Sequence, residues 1–403
     1  MKASLFQKLP NVIPTKEFKQ TDAWEQRKLG DALCESKVPG NKGDKAQKLS
    51  VRLWGKGVVE KKEQFLGSST TQYYYRRAGQ LIYGKLDFLH AAFGIIPEEL
   101  DGFESTTDSP AFDIDDTYDT QFILLSVLRR EVYEAQGKIA NGSRKAKRIN
   151  PDIFLQMYFF APTLEEQKRI SSLITLIDNL IAATERKKEL LQKKKQAYLQ
   201  LIFSQHLRFK GFTKSWEQRK LNDIAYKVTE KNNNFSIRET FTNSAELGIV
   251  SQLDFFDRNL SNAENIVNYY IVRAKDFVYN PRISAAAPVG PINCNNLERE
   301  GIISPLYTVF RTHCIDTNYL EWFFKSSDWH KFMRYYGDSG ARSDRFSIKD
   351  SLFFEMPIPY PVIEEQRKIG EFFKTLDNLI AAIDKKINLL KRRKKAYLQL
   401  MFI

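Results

Sequence analysis

The strongest constraint on this chain is that it states nearly the same passage twice. Residues 162–203 read PTLEEQKRISSLITLIDNLIAATERKKELLQKKKQAYLQLIF, and residues 361–402 read PVIEEQRKIGEFFKTLDNLIAAIDKKINLLKRRKKAYLQLMF. They align without a gap at an offset of 199, and about half of the positions are identical. A shorter repeat, Trp24-Glu25-Gln26-Arg27-Lys28-Leu29, returns as Trp216-Glu217-Gln218-Arg219-Lys220-Leu221. A duplicated chain presents two similar surfaces related by approximate two-fold symmetry, so its partner or ligand must be two-part as well.

The repeated passages predict long helices. Past Pro162 there is no proline or glycine until Gly211; past Pro361 there is only Gly370. Their interiors are rich in Leu, Ala, Lys, Glu and Gln, all good helix formers. Ile380, Ile383, Ile387, Leu390, Lys394, Tyr397 and Met401 fall at alternating spacings of three and four, matched by Ile181, Thr184, Lys188, Leu191, Lys195, Tyr198 and Ile202. That is the seam of a helix packed along a partner helix. About 40 residues at 1.5 Å each give roughly 60 Å, too long to pack under one domain. Each copy has one obvious partner, the other copy. The alternative is two core helices in two ordinary domains. Lysines on the seam (Lys188, Lys195, Lys394) are costly in a dry interface, so that end is expected to splay or admit water.

A chain of 403 residues can hold two domains with their own cores, dividing near residue 204. No apolar run approaches the roughly 18–20 residues needed to cross a bilayer, and residues 1–18 lack the apolar core of a secretion signal. Cys34, Cys294 and Cys314 form no CxxC pair, which supports neither a disulfide framework nor a zinc site and points to a reducing cytoplasm. The 62 basic against 49 acidic residues leave a formal charge of +13. Such an excess favours a polyanion, because each neutralised phosphate releases counterions. The basic stretches lie on helices that already have an apolar stripe to bury, so nucleic acid is preferred to an anionic membrane.

Residues 30–150 and 222–350 diverge strongly yet share landmarks. Tyr83-Gly84-Lys85 stands where Tyr279-Asn280-Pro281 stands, Ser109-Pro110 answers Ser304-Pro305, and Ile149 answers Ile348. Runs at 80–83, 277–279 and 306–310 read as strands, and 119–136 and 318–336 as amphipathic helices. Each region is therefore α+β. Both carry a small, basic, hydroxyl-rich loop late in the region: Asn141-Gly142-Ser143-Arg144-Lys145-Ala146-Lys147-Arg148, and Gly337 to Arg345 with Ser339, Arg342 and Ser343. Glycine lets a backbone approach a ligand closely, and arginine reads guanine or binds phosphate. A solvated turn is the alternative. Arg76 and Arg77, after three tyrosines, and Lys85, Arg282 and Ser284 complete the candidate DNA contacts.

Catalytic signatures are missing. Gly79–Leu86 resembles a phosphate-binding loop until Leu86 replaces the Mg²⁺-holding hydroxyl. Asn280-Pro281-Arg282-Ile283 lacks the second proline and the aromatic residue of an amino-methyltransferase motif. His90, His206, His313 and His330 show no metal spacing.

The order of these parts resembles the specificity subunit of a type I restriction–modification enzyme over essentially all of residues 15–403. Pro162/Glu165/Glu166/Gln167/Ile170, Pro361/Glu364/Glu365/Gln366/Ile369 and the run from Gly337 to Phe346 carry the resemblance. The first region departs from that run, which suggests that the two read different sequences. The resemblance implies two pseudo-two-fold-related α/β target recognition domains (1–161 and 216–360) separated by two long antiparallel coiled-coil helices (162–203 and 361–403), with 204–215 as linker. Each domain would bind one half of a split, asymmetric site in double-stranded DNA. Two modification subunits, which use S-adenosylmethionine to methylate adenine, would dock on the helices. ATP-dependent restriction subunits would join through them. The chain itself would hold no cofactor or metal and catalyse nothing. A non-enzymatic scaffold that joins proteins through its duplicated helices is the rival class.

Overall fold

The computed structural model describes residues 24–62, 67–139, 148–256, 266–338 and 344–402. Two compact units emerge: Met1–Ile181 with Leu390–Ile403, and Ala182–Leu389. Both division points fall inside a long helix. The first long helix is Leu164–Phe203, 40 residues, and the second is Ile363–Met401, 39 residues. Each starts with two glutamates in its first turn, where the helix dipole favours negative charge. Every unit thus owns the beginning of one helix and the end of the other.

Inside each unit the two helix segments pair antiparallel. In the second unit Lys188 bonds Asp384 and Lys195 bonds Asp377, so seven residues forward on one helix are seven back on the other. In the first unit Ile177 and Ile181 pack on Leu390, beside Leu173 and Tyr397, and Lys394 bonds both carboxylate oxygens of Asp178 at 2.6 and 2.7 Å. Asp178–Lys394 and Asp377–Lys195 are the same bond repeated at the offset of 199. All ten apolar seam residues (Ile181, Leu191, Tyr198, Ile202, Ile380, Ile383, Ile387, Leu390, Tyr397, Met401) are buried or half-buried. The seam lysines need a correction. Instead of splaying, Lys188, Lys195 and Lys394 lay their stems along the seam and meet facing aspartates. Lys195 also stands 4.6 Å from the centre of the Trp322 ring. Beside it Gln192, Gln200, Asp377 and Ile380 line an open groove of about 670 Å³.

Each unit is built on a four-stranded antiparallel sheet. Its order is Leu33–Ser36, Ala111–Ile114, Leu81–Tyr83, Phe93–Ile95 in the first unit and Ala225–Lys227, Thr308–Thr312, Phe277–Tyr279, Ile292–Cys294 in the second. The crossover pattern is identical. The short repeat forms strands Glu25–Lys28 and Glu217–Lys220, paired with Tyr158–Ala161 and Pro357–Tyr360 just ahead of each long helix. Different additions follow the common frame. The first unit adds the hairpin Leu49–Val51/Val58–Glu60 and a small sheet of Pro39–Lys42, Gln72–Tyr75 and Glu104–Ser105. The second adds the hairpin Phe241–Ser244/Gly248–Ser251 and the pair Tyr270–Val272/Gly301–Ile303.

Three predicted elements differ from those observed. The helix expected over 119–136 is regular only over Thr120–Val127; a wider π-helical turn, Glu131–Ala135, follows, and the Gln136 side chain then bonds both the N–H and the C=O of Tyr158, each at 2.7 Å. The helix expected over 318–336 is two, Thr317–Lys325 and Trp329–Tyr336. Between them the Ser326 hydroxyl donates to the Phe323 carbonyl, and the Trp329 indole donates to those of Phe324 and Ser326, replacing the helical ladder. The strand expected at 306–310 begins at Thr308, since Tyr307 N–H closes a turn onto the Ser304 carbonyl.

Candidate nucleic-acid interface

The repeated Pro-x-x-Glu-Glu-Gln passage is structural. In the first unit the buried Gln167 amide donates to the Pro162 carbonyl (2.9 Å) and accepts from the Asp119 N–H (3.0 Å). Asp119 in turn caps its helix by accepting from Phe122 N–H at 2.8 Å, and accepts from the Ser171 hydroxyl. In the second unit Gln366 donates to Pro361 (2.8 Å) and accepts from Asp316 (2.9 Å), which caps Tyr319 (2.9 Å). Glu365, 1% exposed, accepts from Arg208 through both carboxylate oxygens (3.0 and 2.7 Å) and from the Trp216 indole at 3.0 Å. The bond to Glu365 holds the Arg208 guanidinium's pKa above its ordinary value. The clasp fixes each unit's sheet and capping helix on the start of its long helix, at the end of the sheet away from Lys85 and Arg282.

The other end of the sheet carries the described parts of the candidate loops. In the first unit the chain leaves strand Leu81–Tyr83 and enters Gly84-Lys85. Lys85 N–H donates to Asp108 (2.9 Å), Lys85 C=O accepts from Ile149 N–H (3.3 Å), and the Tyr83 hydroxyl donates to the Ile149 carbonyl at 3.0 Å. Lys85 and Arg148 are thereby brought together, with Arg148 3.9 Å from Asp108. The Lys85 ammonium is pulled below its usual pKa, first by burial and then by Lys37 and Arg148, against the attraction of Asp108 and Glu35. Lys37 stands in the same electrostatic neighbourhood and was not singled out from sequence, where its flanking strands give no motif.

The second unit repeats the juxtaposition. Arg282 and Arg345 form a backbone bridge: Phe346 N–H donates to Pro281 (2.8 Å) and Ile283 N–H to Asp344 (3.0 Å). Arg282 is exposed, 3.9 Å from Asp344, and Ser284 closes the adjacent turn onto Ala287. Buried Asn280 props this loop, donating to Asn243 C=O (2.9 Å) and accepting from Arg282 N–H (3.0 Å). Asp338 pairs with Ser347, placing the end of helix Trp329–Tyr336 beside the same loop. Tyr335 on that helix is 81% exposed and follows Arg334. Only its amphipathic pattern could have flagged it.

Two candidates fall elsewhere. Arg76 is 2% exposed, and its guanidinium donates to Ser105 Oγ (2.8 Å), Ser36 C=O (2.7 Å) and Ser109 C=O (3.3 Å). Burial lowers its pKa to about 10. It ties strands together and is not available to DNA. Arg77 is exposed but precedes strand Leu81–Tyr83, at the opposite end from Lys85. Ser143, Arg144, Lys145, Lys147, Ser339, Arg342 and Ser343 lie outside the described residues. Among the described residues no group of His, Cys, Asp and Glu could hold a metal ion, and no helix is long and apolar enough to cross a membrane.

Comparison with known proteins follows the same lines. Residues 213–392 match the family model described as "Type I restriction modification DNA specificity domain". The type I restriction enzyme MjaVIII specificity subunit of Methanocaldococcus jannaschii is 24% identical over 274 residues, a match spanning 63% of this chain and 63% of that relative's length. The crystal structure of the HsdS subunit from Thermoanaerobacter tengcongensis superposes with a TM-score of 0.55 at 16% identity, covering 96% of this chain and 98% of that one. The S subunit from M. genitalium gives 0.55 at 13% identity, with coverages of 96% and 98%. At these identities the structural likenesses speak for the fold. Over residues 213–392 the chain is thus similar to the DNA specificity domain of type I restriction–modification systems, and its fold as a whole is that of solved specificity subunits.

Proposed function

We propose that this chain reads a bipartite, asymmetric site in double-stranded DNA, one half-site per unit, and sets the spacing between the halves with its helix pair. The observation that carries the reading is the recurrence of one sheet order and one helix clasp beneath two different sets of basic loops, Lys85/Arg148 and Arg282/Arg345. A common frame with divergent loops is what two reading heads of separate specificity require. Recognition domains would span 1–161 and 216–360, the spacer helices 162–203 and 361–403, with 204–215 linking them. Two modification subunits would dock along the helices and methylate adenine, and restriction subunits would join through them.

The test is to map methylated adenines in the host genome with and without this chain. A split motif that vanishes on deletion supports the reading; no chain-dependent methylation, with partners still held on the helices, overturns it in favour of a protein scaffold. Exchanging residues 222–350 for another unit should change one half of the motif only. Inserting four residues in one helix adds about 6 Å and should widen the gap by one or two base pairs, at about 3.4 Å each.

A further inference from the structure

The hairpin Leu49–Val51/Val58–Glu60 ends in a six-residue tip, Arg52-Leu53-Trp54-Gly55-Lys56-Gly57, closed by Arg52 N–H on Gly57 C=O at 2.9 Å. Trp54 sits at φ 61° and is 56% exposed. A bulky residue in the left-handed region is uncommon and costs free energy, and such strain persists where surrounding structure holds it in place. Here the hold is visible. Trp54 N–H donates to His90 C=O (2.8 Å), Gly55 N–H to Ala91 C=O (2.9 Å), and the indole meets the His90 ring edge-on at 5.7 Å. A Cβ at Gly55 would come within 2.8 Å of the Leu128 side chain, so the tip is pressed against the helix end.

The fold gives no packing reason for an indole to be held out. Arg52, Leu53 and Lys56 around it are exposed, and neither cation makes an ion pair among the described residues. The tip also borders the basic loop already described. From His90-Ala91 the chain continues to Ala92, whose carbonyl accepts from Gly84 N–H at 3.0 Å, next to Lys85 and Arg148. A rigid, strained, solvent-facing aromatic between two free cations suits a polyanion that also offers flat faces, which is nucleic acid.

We infer that this tip is a DNA-contacting element of the first unit, with Arg52 and Lys56 on phosphates and Trp54 inserted against the bases of its half-site. The inference rests on the DNA-recognition reading and names the element through which one half is engaged. Contact by an indole face needs a base that is partly unstacked, so the duplex would be locally opened or kinked there.

The experiment uses the chain purified with its modification subunits and a labelled duplex carrying the mapped methylation motif. Trp54→Gly relieves the left-handed strain, so the thermal midpoint should hold or rise, while specific binding falls about tenfold or more, the order of one stacked base. Trp54→Phe should keep most of the affinity. Replacing Arg52 and Lys56 together by glutamine should lower the slope of log affinity against log salt by about two. Binding by Trp54→Gly within twofold of wild type overturns the inference and leaves the DNA-recognition reading standing. So does parallel loss of stability and affinity in both Trp54 variants. Absence of specific binding by the wild-type complex overturns both.

Discussion

The two units share a frame and differ in how they lock it. Both use a buried glutamine, Gln167 or Gln366, to join the start of a long helix to a capping aspartate, Asp119 or Asp316. The second unit adds a buried charge: Glu365 gathers Arg208 and the Trp216 indole. In the first, Glu166 is only half-buried, and the aspartate is held instead by the Ser171 hydroxyl, where the second unit has Gly370. The same geometry is thus reached with a buried ion pair in one unit and a hydroxyl–carboxylate bond in the other. Duplication preserves the joint while its chemistry drifts, because the joint needs only one well-oriented acceptor at the helix cap.

Six substitutions, in four tests, can break or sharpen that comparison. Arg208→Met leaves Glu365 buried without its cation and should cost the second unit about 3 kcal/mol, read by hydrogen exchange resolved by unit. A loss confined to a few tenths would show the ionic lock to be ornamental. Gln167→Leu and Gln366→Leu each leave a partly buried N–H and its paired carbonyl without the amide partner, and should cost about 1 kcal/mol apiece in denaturant unfolding. Clearly unequal costs would end the claim that the two clasps are equivalent. Lys195→Met and Lys394→Met remove the paired seam bonds, which are partly exposed, so each should shift stability by less than about 1 kcal/mol; the Lys195 change should be the larger, since Trp322 also contacts its ammonium. The smallest effect concerns His330, whose pKa is held below 6.5 by burial and then by Arg334, against Asp328. The unfolded chain takes up the proton more readily, so this group costs the second unit stability as pH falls below about 6.5. His330→Gln should flatten that acid limb of a stability–pH profile; an unchanged limb would assign it to other groups.

Much of the fold was legible in advance because duplication is a pattern of whole elements. The gapless repeat located both long helices, and the spacing of Ile383, Ile387 and Leu390 marked the seam before any packing was seen. Charge partners were not legible: nothing in one helix says that Lys195 will meet Asp377, since that depends on the antiparallel register. Local chemistry misled at Arg76, where a tyrosine-arginine run looked like a binding surface but the strand turns that guanidinium inward to three oxygen acceptors. It also hid Trp54, because a left-handed backbone is a property of the hairpin and its anchor at His90 and not of the residue.

By itself, the sequence determined that there would be two α+β units, two long helices and a formal charge of +13, because periodicity, repetition and net charge are additive along a chain. Only the tertiary structure decided which cations are free and which are spent on the fold. That depends on what stands opposite each side chain, and partners hundreds of positions apart, such as Asp178 and Lys394, become neighbours only when the chain closes.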